Sequence, residues 1–145
     1  MKIYTDVQNY CGKLMVGTVL VSDQNQIYMM KGNELQTDDV DQAHIYGIKR
    51  AMSFVKCNKP LYANEDVTVY TSKYYQKPYD SETFEEKLNS DEYVNQFLQE
   101  KGLNITHNKE EFNDFDKQML LNAEHQIRCT KHNLFMRNMI DSSRL

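Results

Sequence analysis

The sequence contains few of the residues that mark several classes of protein. Its 145 residues include three widely separated cysteines and no Cys-x-x-Cys pair, which excludes a disulfide framework and a zinc signature. Five glycines and two prolines exclude a collagen-like or linker-rich chain. The longest apolar stretches, such as 14–21, are far shorter than the ~20 residues that cross a bilayer, and no apolar run of a secretory signal opens the sequence. We therefore expect an intracellular, cytoplasmic protein that does not enter a membrane.

The charge is distributed unevenly. The formal net charge is −4, which is too acidic for a dedicated DNA-binding domain. Residues 128–145 hold four basic residues against one acidic residue, a net charge of +3 that leaves −7 on residues 1–127. We expect a globular domain over 1–127 and a basic, helical extension over 128–145. This extension either meets phosphate groups or is a solvated helix end.

A second charged segment has the opposite sign. Between Asp80 and Glu100 the sequence has seven acidic residues against Lys87 alone. Such a surface repels nucleic acid and suits a basic partner protein, although two solvated helices would show the same pattern.

Hydrophobic periodicity predicts a mixed α/β fold. Three β-rich segments open the chain and are separated by polar turns, as in an antiparallel meander. A helical pattern over 38–55 follows the expected N-cap Thr37, and further helices alternate with two short strands. The predicted order is β-β-β-α-β-α(α)-β-α, a five-stranded mixed sheet whose first three strands are antiparallel and whose two faces carry helices. The predicted strands are 2–7, 14–22, 26–31, 66–71 and 103–106.

Four segments resemble the ribonuclease H type 1 family, in the family's order. Ile3–Asp6 is similar to the first strand, which ends in a catalytic aspartate after an aromatic residue and a threonine. Val67–Tyr74 is similar to the fourth strand, and Leu103–His107 to the fifth strand with the histidine that follows it. Phe112–Asp116 is similar to the start of the last helix. The resemblance covers residues 1–127 and implies a ribonuclease H-like fold.

The resemblance also implies a chemistry. The family cleaves the RNA strand of RNA–DNA hybrids with two Mg²⁺ or Mn²⁺ ions held by four carboxylates. It gives Asp6 the role of the first carboxylate and Asp116 that of the fourth, with Asp114 as a rival. It gives His107 the role of the loop histidine, which assists proton handling or product release.

Two of the four carboxylate positions hold other residues. Aligning Ala51-Met52 with the family's Ala-Leu pair places His44 at the second position, whereas aligning the helix cap places Gln42 there. A gapless alignment places Thr71 at the third position. We regard both positions as degenerate. Asp41 lies three residues before His44 on the same helix face, so the two together could suit Mn²⁺. The candidate metal ligands are then Asp6, Asp41, His44 and Asp116.

Residues near the end of the fourth strand are candidates for substrate binding, since hydroxyl, ammonium and aromatic groups meet phosphates and bases. Two hypotheses follow from the whole sequence. The first is a catalytically degenerate domain that binds nucleic acid or a partner protein. Its small size and divergent sequence are common among proteins of phages and mobile elements, which suggests such a source. The alternative is an active, divergent, metal-dependent ribonuclease H. The candidate substrate-binding residues are Thr71, Ser72, Lys73 and Tyr74.

Overall fold

A computed structural model describes residues 1–58, 65–72 and 82–143 of the chain. Five strands form one mixed sheet in the order β3-β2-β1-β4-β5. The pairs β1–β2 and β2–β3 are antiparallel, whereas β1–β4 and β4–β5 are parallel. The predicted sheet, with its antiparallel first three strands, is therefore confirmed. The strands are β1 Lys2–Tyr10, β2 Lys13–Val21, β3 Ile27–Glu34, β4 Val67–Thr71 and β5 Ile105–His107.

The first hairpin is longer than the alternation in the sequence predicts. Tyr10 pairs with Lys13, so Cys11 and Gly12 form a two-residue connection. Both connecting residues have positive φ, 51° and 83°, which matches the right-handed twist of paired strands. This turn carries the pairing of β1 three residues beyond the predicted end at Val7.

Helices cover both faces of the sheet, as predicted. In the described part of the chain they are α1 Val40–Cys57, α2 Glu82–Ser90, α3 Glu92–Lys101 and α4 Asp114–Ser143. No helix in these ranges is both long enough and apolar enough to cross a membrane.

The helix starts differ from the predicted ones by one or two residues. Asp39, not Thr37, caps α1 by accepting hydrogen bonds from the backbone N–H groups of Asp41 and Gln42. Asp91 caps α3 in the same way. A carboxylate at these positions also interacts favourably with the helix dipole. α3 ends at Gly102, whose left-handed φ of 64° is common for the glycine that follows a helix.

Alternation along β1 divides the core into two parts. Ile3 packs in a cluster with residues of α1, α2 and α3, whereas Tyr4 packs in a cluster with residues of α4. Thr5 and Asp6 continue the alternation, because neighbouring strand residues point to opposite faces. We call these the α1 face and the α4 face of the sheet.

Two glycines allow α4 to lie directly on the sheet. A Cβ atom on Gly17 would lie 1.8 Å from the backbone oxygen of Ala123, and one on Gly32 would lie 2.4 Å from that of Gln126. Gly17 and Gly32 are cross-strand partners on β2 and β3, so together they form a surface without side chains on which the helix packs. The helix axis therefore passes close to Asp6, the β1 partner of Gly17.

The C-terminal residues continue this helix. α4 runs without a break through residue 127, so the predicted extension over 128–145 begins inside the helix and not after it. The Lys131 ammonium donates a hydrogen bond to Gln8 at 3.2 Å, and Arg137 lies 3.8 Å from Glu34. Up to Arg137, this part of α4 thus lies against the first three strands.

Candidate functional site around Asp6

Asp6 lies on the α4 face, beside the end of β4. The parallel register pairs Thr5 with Thr71, so the next residue of each chain segment, Asp6 and Ser72, come together. The Ser72 side chain makes a hydrogen bond with the Asp6 carboxylate, and the Gln8 amide donates another at 3.3 Å. Asp6 is thus held by two neutral groups on its own face of the sheet.

A pocket of about 260 Å³ opens next to Asp6. The sheet contributes polar side chains to it, and α4 contributes a cation, an anion and two leucines. Since the α4 residues recur at helical spacing, one face of the helix forms this wall. The pocket is lined by Asp6, Gln8 and Ser72 from the sheet side and by Lys117, Leu120, Leu121 and Glu124 from α4.

Asp6 is partly desolvated and lies within electrostatic reach of a second carboxylate. Burial raises the pKa of Asp6, and the negative charge of Glu124 raises it further, while the hydrogen bonds from Ser72 and Gln8 oppose the shift. Glu124 in turn forms an ion pair with Arg128 at 2.7 Å, one helical turn away. Glu124 thus has a cationic partner on its own helix, whereas the described hydrogen-bond partners of Asp6 are neutral.

Asp116 is engaged elsewhere on the α4 face. One of its oxygens accepts a hydrogen bond from the Tyr4 hydroxyl at 2.6 Å, and the other accepts one from the Asn113 backbone N–H at 3.1 Å. The Asn113 side-chain oxygen accepts a hydrogen bond from the Asp116 backbone N–H, so the pair caps the start of α4. Burial and the Asp116 carboxylate raise the pKa of Tyr4, which keeps its hydroxyl proton as the donor. Asp114, the rival, is exposed.

His44 and Thr71 lie on the opposite face from Asp6. The His44 ring is buried, with Nδ1 2.9 Å from the Thr5 hydroxyl oxygen. Thr71 is the register partner of Thr5 and shares its face. The gapless alignment gave Thr71 the third carboxylate position. In the structure the hydroxyl beside Asp6 is that of Ser72, because side chains alternate along β4.

Asp41 is also turned away from Asp6. It is buried at the start of α1, where the Lys87 ammonium lies 3.5 Å from Asp41 and 2.8 Å from Asp39. This contact ties α1 to α2 on the α1 face. The structure therefore does not bring the four candidate metal ligands to one point, and it places two of them on each face.

His107 lies at the end of β5, on the α2 side of the molecule. Its ring packs edge-on against Phe84 at 5.0 Å between centroids, and Phe84 packs edge-on against His44 at 6.1 Å. Burial lowers the pKa of His107 to about 4, so the ring is neutral at pH 7. Among the other candidates, Lys73 and Tyr74 lie outside the described residues.

Comparison with solved structures identifies the fold as ribonuclease H-like. The LC11 ribonuclease H1 isolated from compost aligns with a TM-score of 0.58 and 14% identity, over 86% of this chain and 90% of that one. Ribonuclease H1 of the halophilic archaeon Halobacterium salinarum aligns with a TM-score of 0.54 and 16% identity, over 86% and 92%. LC11 ribonuclease H1 in complex with an RNA/DNA hybrid aligns with a TM-score of 0.50 and 16% identity, over 74% and 83%.

At these identities the likeness defines the fold, and the fold alone does not define an activity. No protein-family model matches the chain, and no curated protein sequence matches it. The chemistry of this chain must therefore be argued from its own residues.

The residues around Asp6 do not fit a pair of divalent cations. Within residues 1–58, 65–72 and 82–143, no group of three His, Cys, Asp or Glu side chains is placed to hold a metal ion. The pocket offers two carboxylates, a hydroxyl and an amide, and it also contains the Lys117 ammonium. Two cations with a total charge of +4 need more anionic oxygen ligands than this set supplies.

Sequence reasoning missed two residues of this pocket. Lys117 and Glu124 follow Asp116 on α4, and with Leu121 they form a stripe with spacings of four and three residues. That stripe was the available signal. The spacing of these residues does not show that α4 passes beside Asp6, because that depends on the close contact between the helix and Gly17.

Proposed function

We propose that this chain is a catalytically degenerate ribonuclease H-like domain that binds nucleic acid without cleaving it. One observation carries the proposal: Ser72 stands beside Asp6, on the side where a second carboxylate would be needed. A serine hydroxyl is a neutral and weak ligand for Mg²⁺. We therefore do not propose the catalytic and metal-binding roles that the resemblance implies. Those roles concerned Asp6, Asp41, His44, His107 and Asp116.

The surroundings of the other acidic residues support the same reading. Both oxygens of Asp116 accept hydrogen bonds from the protein, and Asp41 lies beside an ammonium. Recruiting either residue to a metal would break these contacts. Breaking a buried, charge-assisted hydrogen bond costs about 1.5–3 kcal/mol, so the bonded arrangement is favoured.

Nucleic acid is the partner favoured by the basic side of α4. Lys117, Arg128 and Lys131 lie along the helix where it flanks β1, over about 20 Å at the helical rise of ~1.5 Å per residue. The Lys131 ammonium lies 5.3 Å from the centre of the Tyr10 ring, and this ring is 37% exposed. Basic groups beside an exposed aromatic ring suit a phosphate backbone and a stacked base. A ribonuclease H1 of this fold has been solved with an RNA/DNA hybrid.

The acidic helices set the orientation of binding. α2 and α3 carry five acidic residues against two basic ones and lie on the other face of the sheet. Their field repels a polyanion within about a Debye length, ~8 Å at physiological ionic strength. We therefore place the bound strand along β1 and α4.

The test measures binding and cleavage in the same samples. A labelled RNA–DNA hybrid is titrated with the full chain by fluorescence anisotropy, and the product is resolved on a gel after incubation with Mg²⁺ or Mn²⁺. We expect binding with no cleavage in either metal. Cleavage that Asp6→Asn abolishes would contradict the proposal and support the alternative of an active, divergent nuclease.

A matched pair of variants tests the orientation. We expect Lys131→Glu to weaken binding about tenfold, because it removes one phosphate contact and adds a repulsive charge. Lys101→Glu makes the same change at the end of α3, on the acidic side, and should leave affinity unchanged. Equal effects of the two would contradict binding along α4. Absence of binding to hybrid, duplex and single-stranded nucleic acid would overturn the function and direct attention to a protein partner.

A further inference from the structure

The Asp6 pocket contains a cation of its own. Lys117 is half-buried in the first turns of α4 and lines the pocket together with Asp6 and Glu124. Its backbone N–H bonds to the Asn113 carbonyl at 3.0 Å, which fixes the start of the side chain on the rigid part of the helix. Lys117 therefore lines the pocket from a fixed position on α4.

The charge of Lys117 is not taken up by the pocket carboxylates. Glu124 forms its ion pair with Arg128 at 2.7 Å, and Asp6 accepts hydrogen bonds from Gln8 and Ser72. None of the ion pairs within the described ranges involves the Lys117 ammonium. A half-buried ammonium in this situation can offer its three donors to an anion that enters the pocket.

We infer that Lys117 holds a phosphate group of the bound strand in the Asp6 pocket, without a divalent cation. This inference rests on the proposed function. In a metal-dependent site the carboxylates attract the phosphate indirectly, through the cations that they bind. In this pocket no such cluster is described, so Asp6 and Glu124 repel a phosphate directly and Lys117 attracts it.

The two arrangements predict opposite signs for the same substitution. Removing the charge of Asp6 lowers affinity where the carboxylate holds a metal ion. In the arrangement inferred here, Asp6→Asn removes a repulsive charge and raises affinity. Glu124 is a weaker probe because its ion pair with Arg128 offsets part of its charge. Asp6→Asn also preserves the size of the side chain and its contact with Ser72.

The experiment measures the affinity of the full chain for a labelled RNA–DNA hybrid, once with excess EDTA and once with Mg²⁺, at slightly alkaline pH where carboxyl groups are ionised. We expect equal affinities in the two buffers. We expect Lys117→Gln to weaken binding about tenfold and Asp6→Asn to strengthen it about threefold, the sizes expected for one charge near a phosphate in a partly solvated site. Lys31→Gln, on the exposed part of β3, is the matched control and should have no effect. Circular dichroism melts establish that each variant is folded.

The outcomes separate this inference from the proposed function. Binding that requires Mg²⁺ and is weakened by Asp6→Asn would overturn the inference while leaving nucleic-acid binding in place. Binding in which Lys117→Gln behaves like Lys31→Gln would do the same. Failure of the wild-type chain to bind in either buffer would overturn both.

Discussion

The two faces of the central sheet use neighbouring residues of β1 for different purposes. On the α1 face, Thr5 meets the buried His44 ring, and the surrounding core belongs to three helices. On the α4 face, Asp6 is hydrogen-bonded to Ser72 and lines an open pocket. The α1 face is a packed core with a few buried polar contacts, and the α4 face holds the pocket that Asp6 lines together with Lys117 and Glu124.

This difference shows that candidate metal ligands count as one set only if their side chains lie on the same face of the sheet. Asp6 and Asp116 lie on the α4 face, whereas Asp41 and His44 lie on the α1 face. Among the described residues, no group of three such side chains is placed to hold a metal ion, so the two pairs do not form one ligand set.

The largest effect is expected from Gly17, which decides how closely α4 approaches the sheet. A Cβ at this position would lie 1.8 Å from a backbone oxygen of α4, and a backbone atom cannot rotate away. We expect Gly17→Ala to lower the free energy of unfolding by about 3 kcal/mol. Urea unfolding of both proteins measures the difference.

The comparison with the α1 face supplies the reference for this variant. At Gly47 the nearest atom to an added Cβ is the Thr18 hydroxyl at 2.6 Å, a side-chain atom that can move. We expect Gly47→Ala to cost less than Gly17→Ala. The opposite order would show that the α4 face is the more adaptable one.

The next effect concerns the hydroxyl that holds Asp116. Tyr4→Phe removes the 2.6 Å hydrogen bond and leaves a buried carboxylate oxygen without that donor. We expect a loss of about 2 kcal/mol, within the range for a buried bond to a charged group. Thr5→Val, which removes the neutral partner of His44 on the other face, should cost about 1 kcal/mol.

Both losses are measured by chemical unfolding with matched slopes. If Thr5→Val proved as costly as Tyr4→Phe, the α1 face would be as dependent on its polar contact as the α4 face. That result would weaken the division drawn between a packed face and a charged one.

A smaller effect is expected from pH on the His107 side. The pKa of His107 is lowered from 6.5 to about 4 by burial, so the unfolded chain binds a proton that the folded chain excludes. Stability is therefore unaffected above pH 6.5 and falls as the pH decreases from 6.5 to 4. Allowing for partial exposure of the ring, we expect this group to cost about 1–2 kcal/mol at the acidic end.

The measurement compares thermal unfolding of the wild type and His107→Gln across that range. The variant lacks the titrating group and should lose less stability on acidification. Parallel curves would show that His107 titrates normally in the folded chain.

The sequence predicted the sheet because its alternation and helical stripes agree with the final packing. It placed Asp6 at the end of a β1 motif, and that position faces a pocket. It misplaced the residue beside Asp6 by one, since a one-residue shift along β4 exchanges Thr71 for Ser72 and reverses the face. It also missed Lys117 and Glu124, because their approach to Asp6 depends on how α4 crosses the sheet.

The central claim is that Ser72, and not Thr71, stands where a second metal-binding carboxylate would be needed. The most direct measurement is the effect of Mn²⁺ on the unfolding temperature of Ser72→Asp, Thr71→Asp and the wild type. Ser72→Asp adds a carboxylate beside Asp6 on the Glu124 side, so Mn²⁺ should raise its unfolding temperature by several degrees, as a ligand that binds only the folded state does. Thr71→Asp buries its charge on the other face and should be destabilised without any response to Mn²⁺, and the wild type should not respond either. A response in Thr71→Asp, or one in the wild type as large as that of Ser72→Asp, would contradict the account.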